Sequence, residues 1–172
     1  MAIDLKEHIR DIPDFPKPGI IFKDITPLLA HPAAFREAIN QIAARYNGEK
    51  IDAIVAVESR GFIFGAPLAD KLDAAFIPVR KPGKLPYDTI SYSYELEYGT
   101  DTLEIHKDAL KAGDRVLIVD DLLATGGTIE ATLKLISGFD VDVAECAFCI
   151  NLSFLGGAEK LSPHSVFSLL EY

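Results

Sequence analysis

The chain has 172 residues, 49% hydrophobic and 25% charged, which suits one globular domain. Its net charge of −9 excludes non-specific nucleic-acid binding, which needs a basic surface, but not a small phosphorylated ligand held by a few local cations and amides. No run approaches the ~20 apolar residues of a membrane span, and "MAIDLKEHIR" alternates charges where an export signal needs an apolar core, so a cytoplasmic protein is expected.

The first fifty or so residues precede any strand–helix alternation and read as a small appended piece. Within it, "PAAFREAINQIAARY" places Phe35, Ile39, Ile42, Ala43 and Tyr46 on one helical face. "IDAIVAV" (Ile51 to Val57) is a continuous apolar run of strand length, the pattern of a strand covered on both sides. "GFIFGAPLADKL" predicts a helix and "AAFIPV" another short strand. "RKPGKLPYDTISYSYELEYGT" is too long for an ordinary connection and predicts a functional lid or a projecting hairpin. "DTLEIHK" and "RVLIVDD" follow as strands around the turn "KAGD". "GTIEATLKLISG" predicts a helix closed by Gly138, and "VAECAFCINL" a last core strand. These repeated units predict an α/β fold, a largely parallel sheet flanked by helices on both faces.

Cys146 and Cys149 form a CxxC inside that last strand. Strand residues three apart point to opposite faces, and no second CxxC follows, so the pair reads as two reduced core thiols rather than half a metal site. None of the four histidines sits in a constellation that assigns it a role.

The informative stretch is "VLIVDDLLATGGT" (Val116 to Thr128). A strand end followed by a helix start is where open α/β sheets bind ligands. "ATGGT" can direct successive N–H groups at an anion, at the positive end of the helix dipole. Asp120 and Asp121 stand directly before it, and unit charges about 7 Å apart repel by about 2 kcal/mol at an effective dielectric of ~20. Carboxylates only accept hydrogen bonds, so beside a phosphate cradle they suit neutral donors on the same ligand. A ribose diol near a 5-phosphate supplies them, which makes the stretch a ribose-5-phosphate clamp. "VLIVDD" also has the look of a Walker B strand, but GxxxxGK[ST] and GxGxxG are both absent, and a phospho-acceptor receiver domain would leave the glycine loop unexplained.

An apolar strand, two acids and a phosphate loop, in that order, resemble the signature of the type I phosphoribosyltransferases. "FPKPGIIFKDITPLL", "ESRGFIFGAPLA", "RKPGKLP", "SYELEYGTDTLEIHKDALKAGDRVLIVDDLLATGGTIEAT" and "SLLEY", covering nearly the whole chain, resemble the adenine-using members. The resemblance implies one domain over residues 1–172 in the type I phosphoribosyltransferase fold, with a base-binding cap in residues 1–48 and a flexible lid hairpin at 81–100. It implies purine salvage in which adenine and 5-phosphoribosyl 1-pyrophosphate give AMP and pyrophosphate. Mg²⁺ would be bound mainly through the pyrophosphate and ribose, so no side chain is assigned as a metal ligand. A homodimer is implied as well.

By the same resemblance, Ala124, Thr125, Gly126, Gly127 and Thr128 hold the 5-phosphate, while Asp120 and Asp121 hold the ribose hydroxyls and favour an oxocarbenium-like transition state. Arg60, a catalytic candidate, faces the pyrophosphate together with Arg80, Lys81 and Lys84, Ser59 is a further substrate-binding residue, and the Glu58–Ser59 peptide is a candidate cis bond. Adenine stacks between Phe22 and Leu122, its edge read by main-chain groups at Ile21 and Lys23. Glu97 is the acid/base on the purine, and Tyr98 helps close the lid against water. Two other readings stand beside this one. One is a phosphoribosyltransferase for another purine base, and the other is a non-catalytic sensor that binds the phosphoribosyl ligand and regulates gene expression; a DNA-binding sensor would carry an extra basic module for which this acidic chain has no room.

Overall fold

A computed structural model describes residues 3–95 and 99–172. An antiparallel pair comes first, β1 (Arg10–Pro13) and β2 (Ile21–Asp24), with Ile12 opposite Phe22. Helices α1 (Thr26–Ala30) and α2 (Pro32–Arg45) follow. His31 caps α2, its Nδ1 accepting from the Ala34 N–H at 3.1 Å, and Pro32 takes the first helical position, where no N–H is needed. The alternating part begins with β3 (Ala53–Val57), α3 (Arg60–Lys71) and β4 (Ala75–Val79). Next come β5 (Thr89–Glu95), β6 (Thr100–His106), β7 (Arg115–Leu123) and α4 (Gly127–Ile136). The chain closes with β8 (Asp142–Asn151), α5 (Gly157–Lys160) and β9 (Val166–Glu171).

Five parallel strands form the central sheet in the order β4-β3-β7-β8-β9. Pro78 is accommodated because β4 lies at the edge, where a strand can lack an N–H. Alternation along each central strand feeds two cores. Ile54, Leu117 and Val119 pack with Ile39 and Ile42 of α2 and Phe64 and Leu68 of α3. Val55, Val116 and Ile118 pack with Ile129 and Leu135 of α4 and with Leu103 and Ile105 of β6. Helices therefore cover both faces, as expected, and α2 shares its core with the sheet. Cys149 falls in the first core and Cys146 in the second, on opposite sides of one strand, both as free buried thiols. Burial pushes each thiol up to about 12, helped by nearby carboxylates. No helix among the described residues is long and apolar enough to cross a membrane.

Four details differ from the sequence expectation. Gly138 does not close α4: the chain tightens into a 3-10 turn over Ser137–Phe139, and Asp140 takes the left-handed conformation at φ 56°. An aspartate tolerates that region because its short side chain meets the backbone locally. "VAECAFCINL" is not the last strand, because β9 pairs with it in parallel. β9 is only half-buried along most of its length, so its apolar pattern is weak. "DTLEIHK" is a strand, but β6 pairs in register with β5 in a separate two-stranded sheet. β7 also continues two residues past the acids, pairing Leu122 with Ile150 and Leu123 with Asn151.

Candidate active site

The acid pair sits inside the carboxyl end of β7, fixed by the β8 ladder rather than hung on a loop. Asp121 is 3% exposed. Its backbone N–H donates to Asp120 Oδ1 at 2.8 Å, which orients the first carboxylate. Arg60, at the start of α3, places Nε 2.8 Å from Asp121 Oδ2, yet that oxygen receives no hydrogen bond among the described residues. The contact is thus a charge pairing off the donor axis, which leaves this buried acceptor without a hydrogen-bond donor. Gly61 makes the approach of α3 feasible: a Cβ there would stand 3.0 Å from Asp120 Oδ1 and 3.1 Å from the Val119 carbonyl. Burial, then the charge of Asp121, pushes Asp120 well above the usual carboxylate range. Burial also raises Asp121, against the pull of Arg60.

After β7 the chain turns through Ala124 and Thr125 to Gly126, whose φ of 82° is left-handed, and enters α4 at Gly127. The turn is braced from outside by a residue that sequence reading missed. A Cβ on Gly157 would lie 2.3 Å from the Ala124 carbonyl oxygen, and one on Gly126 would lie 3.0 Å from the Gly157 carbonyl. The backbones of the phosphate loop and of α5 are therefore in direct contact. In the sequence, "LGGAEK" signals only a turn. Thr128 adds its hydroxyl at the first turn of α4, beside Tyr94 of β5.

Across the crevice, Glu58 and Ser59 are joined by a cis peptide, as the resemblance implies. Glu58 accepts Arg80 Nε at 2.7 Å and the Lys81 N–H at 2.9 Å. Burial pushes this carboxyl up, but the Lys81 N–H and Arg80 outweigh it and hold it below its usual range. Arg80 Nη1 also donates to the Lys84 carbonyl at 3.3 Å. Lys81 Nζ pairs with Asp101 of β6. Of the four cations expected at the pyrophosphate, Arg60, Arg80 and Lys81 are each already matched to a protein carboxylate, and Arg60 and Lys81 line this side of the crevice. Tyr94 and Asp101 belong to this cluster and were missed, since exposed-looking hairpin residues carry no local signal.

A cavity of about 320 Å³ is lined by Glu58, Ser59, Arg60, Lys81, Asp101 and the acid pair, among others. A second, of about 240 Å³, is lined by the stretch from Asp120 to Ile129 with Arg60. They share Arg60, Asp120, Asp121 and Thr128, so loop amides lie on one side of the acids and the cations on the other. Among the described residues no group of three or more His, Cys, Asp or Glu gathers as a metal cluster.

The base-binding residues are less closely knit. Phe22 stacks edge-on against Phe15 at 5.2 Å and lies under the Arg60 guanidinium at 5.5 Å, which ties β2 to the acid pair. Ile21 is exposed, and Lys23 directs its side chain away to Asp11 (2.7 Å) and the face of Tyr172 (3.9 Å). Leu122 is half-buried against the first core. Glu97 and Tyr98 lie outside the described residues.

Residues 24–165 match the phosphoribosyl transferase domain family. The chain is 58% identical over 170 residues to an adenine phosphoribosyltransferase of Rhodopirellula baltica, covering 99% of this chain and 82% of that one. Its fold superimposes with a TM-score of 0.93 on the crystal structure of the adenine phosphoribosyltransferase of Thermoanaerobacter pseudethanolicus, 56% identical with 98% of each chain covered. The Saccharomyces cerevisiae enzyme, crystallised with adenine and an imino-altritol bisphosphate, matches with a TM-score of 0.91 at 42% identity over 96% of each chain.

Proposed function

Because this chain belongs to the adenine phosphoribosyltransferases of the phosphoribosyl transferase domain family, we propose that the crevice around Asp120 and Asp121 makes AMP and pyrophosphate from adenine and 5-phosphoribosyl 1-pyrophosphate. One observation carries the reading. The unsatisfied, buried carboxylate oxygen of Asp121 lies between a phosphate-loop cavity and a cation-lined cavity that share their walls. A 5-phosphoribosyl 1-pyrophosphate presents its 5-phosphate, its 2,3-diol and its C1-diphosphate in that order, with the diol between the two anions.

The 5-phosphate is held by N–H groups of Ala124 to Thr128 and by the hydroxyls of Thr125 and Thr128. The ribose hydroxyls donate to Asp120 and Asp121. When the C1–O bond breaks, its electron pair leaves with the diphosphate, and the charge developing on the ring is stabilised by the two carboxylates. Ser59, Arg60, Arg80, Lys81 and Lys84 receive the departing anion. The adenine N9 forms the new bond to C1 and gives up its proton to Glu97. Phe22 and Leu122 sandwich the base, Ile21 and Lys23 read its edge through the main chain, and Tyr98 closes the hairpin over it.

Two carboxylates offer only part of a shell of about six oxygens, so they suit an Mg²⁺ held mainly by the ligand's own diphosphate and hydroxyls. When bound, that ion neutralises diphosphate charge. A cytoplasmic location belongs to the same reading, supported by two unpaired buried thiols that suit a reducing compartment. So does a homodimer, which sedimentation velocity checks: a monomer mass would remove it.

The deciding assay measures magnesium-dependent AMP formation against hypoxanthine, guanine and xanthine as competing bases. Adenine is expected to be strongly preferred. Equal use of a 6-oxopurine overturns the base assignment, and ligand binding without turnover favours a sensor. Glu97→Gln is expected to lower turnover while 5-phosphoribosyl 1-pyrophosphate still binds. Normal turnover would transfer the acid/base role elsewhere.

A further inference from the structure

We propose that Asp101 is a parking site for Lys81, holding the ammonium until an incoming diphosphate takes it, and so sets the affinity for that anion. The inference rests on the reading above and deepens it. Lys81 Nζ pairs with Asp101 Oδ2, and both side chains line the cavity that contains Arg60 and the acid pair. Lys81 therefore stands at the diphosphate position but is already matched.

Each partner is built to separate from the other. Asp101 keeps two donors without the lysine: the Thr102 N–H reaches Oδ1 at 2.8 Å and the Tyr94 O–H reaches Oδ2 at 3.2 Å. Lys81 has a fixed base and a free head, because its N–H is bound to Glu58 at 2.9 Å while its side chain is 42% exposed on a four-carbon stem. The neighbouring Arg80–Glu58 pair differs. Glu58 is less exposed, at 13%, and holds the Lys81 backbone as well, so it braces the loop rather than releasing it. An anion that must take Lys81 from a carboxylate binds more weakly than one meeting an unpaired ammonium.

The test is calorimetric titration of the full chain with inorganic pyrophosphate in magnesium buffer. Asp101→Asn is expected to lower the Kd about threefold, the size of a partly exposed ion pair. Lys81→Met is expected to raise it at least about fivefold. In the Lys81→Met background Asp101→Asn should then change it less than about 1.5-fold, since no ammonium remains to be parked. Asp101→Glu should stay near the wild-type value. An unchanged or higher Kd for Asp101→Asn, or Asp101→Glu behaving like Asp101→Asn, overturns parking while leaving the site reading intact. An unchanged Kd for Lys81→Met instead removes Lys81 from the pyrophosphate site.

Discussion

The phosphate loop and the hairpin face each other across one crevice, yet they are held by opposite means. The loop is fixed by backbone against backbone, with Gly157 touching the Ala124 carbonyl and a left-handed Gly126 opening α4. The hairpin is anchored at its base by the Leu103 and Ile105 core contacts and by paired Arg80 and Glu104 backbones. Toward the cavity it presents side-chain charges, with Lys81 on Asp101 and Tyr94 beside them. Close backbone packing has one solution and fixes geometry, whereas ion pairs among half-exposed groups can be exchanged for a ligand. On the proposed function, the ester phosphate, which stays put during the reaction, would face the first kind of wall, and the diphosphate, which leaves, the second.

Breaking the rigid wall should have the largest effect. Gly157→Ala forces a Cβ to within 2.3 Å of the Ala124 oxygen, so the loop must move. We expect kcat/KM for 5-phosphoribosyl 1-pyrophosphate to fall about 100-fold, with about 1–3 kcal/mol lost from stability. Wild-type kinetics would mean that the loop does not depend on α5. The acids between the two walls come next. Asp120→Asn and Asp121→Asn should each lower kcat/KM at least ~10-fold, and unchanged kinetics in both would reject the ribose clamp.

A smaller effect separates the acid pair from the hairpin wall by their pH response. Asp120 is raised by burial and by Asp121, so its contribution to stability is complete below the ordinary carboxylate range and is lost as pH rises through the raised value. Asp101 is lowered by Lys81, so its contribution is present above the ordinary range and is lost as pH falls through the lowered value. Melting curves across pH should therefore show Asp120→Asn more stable than wild type toward neutral pH, by about 1 kcal/mol, with Asp101→Asn less stable there. Parallel curves for the two variants would erase the contrast. Least of all, Asp88→Asn at the hairpin base should leave Tm within about 1 °C, because its ion pair with Lys107 is long, at 3.9 Å, and well exposed.

What could be read in advance follows the same divide. The sheet was legible because runs such as "IDAIVAV" and "VLIVDD" carry their burial on their face, and the acid pair with its glycine loop is contiguous. Gly157 was not, since its meaning is a contact with a loop some thirty residues earlier and nothing local marks it. Asp101 and Tyr94 were hidden for a related reason: a polar residue in a hairpin looks solvated until the chain brings Lys81 beside it. Gly138 misled because a glycine near a helix end invites the closing role that Asp140 takes.

The two thiols of β8 have a practical consequence. They lie three residues apart on one strand but belong to different sides of the sheet, each sealed under its own layer and each raised to about 12. At neutral pH neither can be alkylated until the layer above it lifts. Single-cysteine versions would then act as separate clocks, Cys149 timing the opening of the α2–α3 side and Cys146 that of the α4 side. Ligand-dependent slowing confined to one clock would reveal which half of the molecule stiffens when the crevice fills.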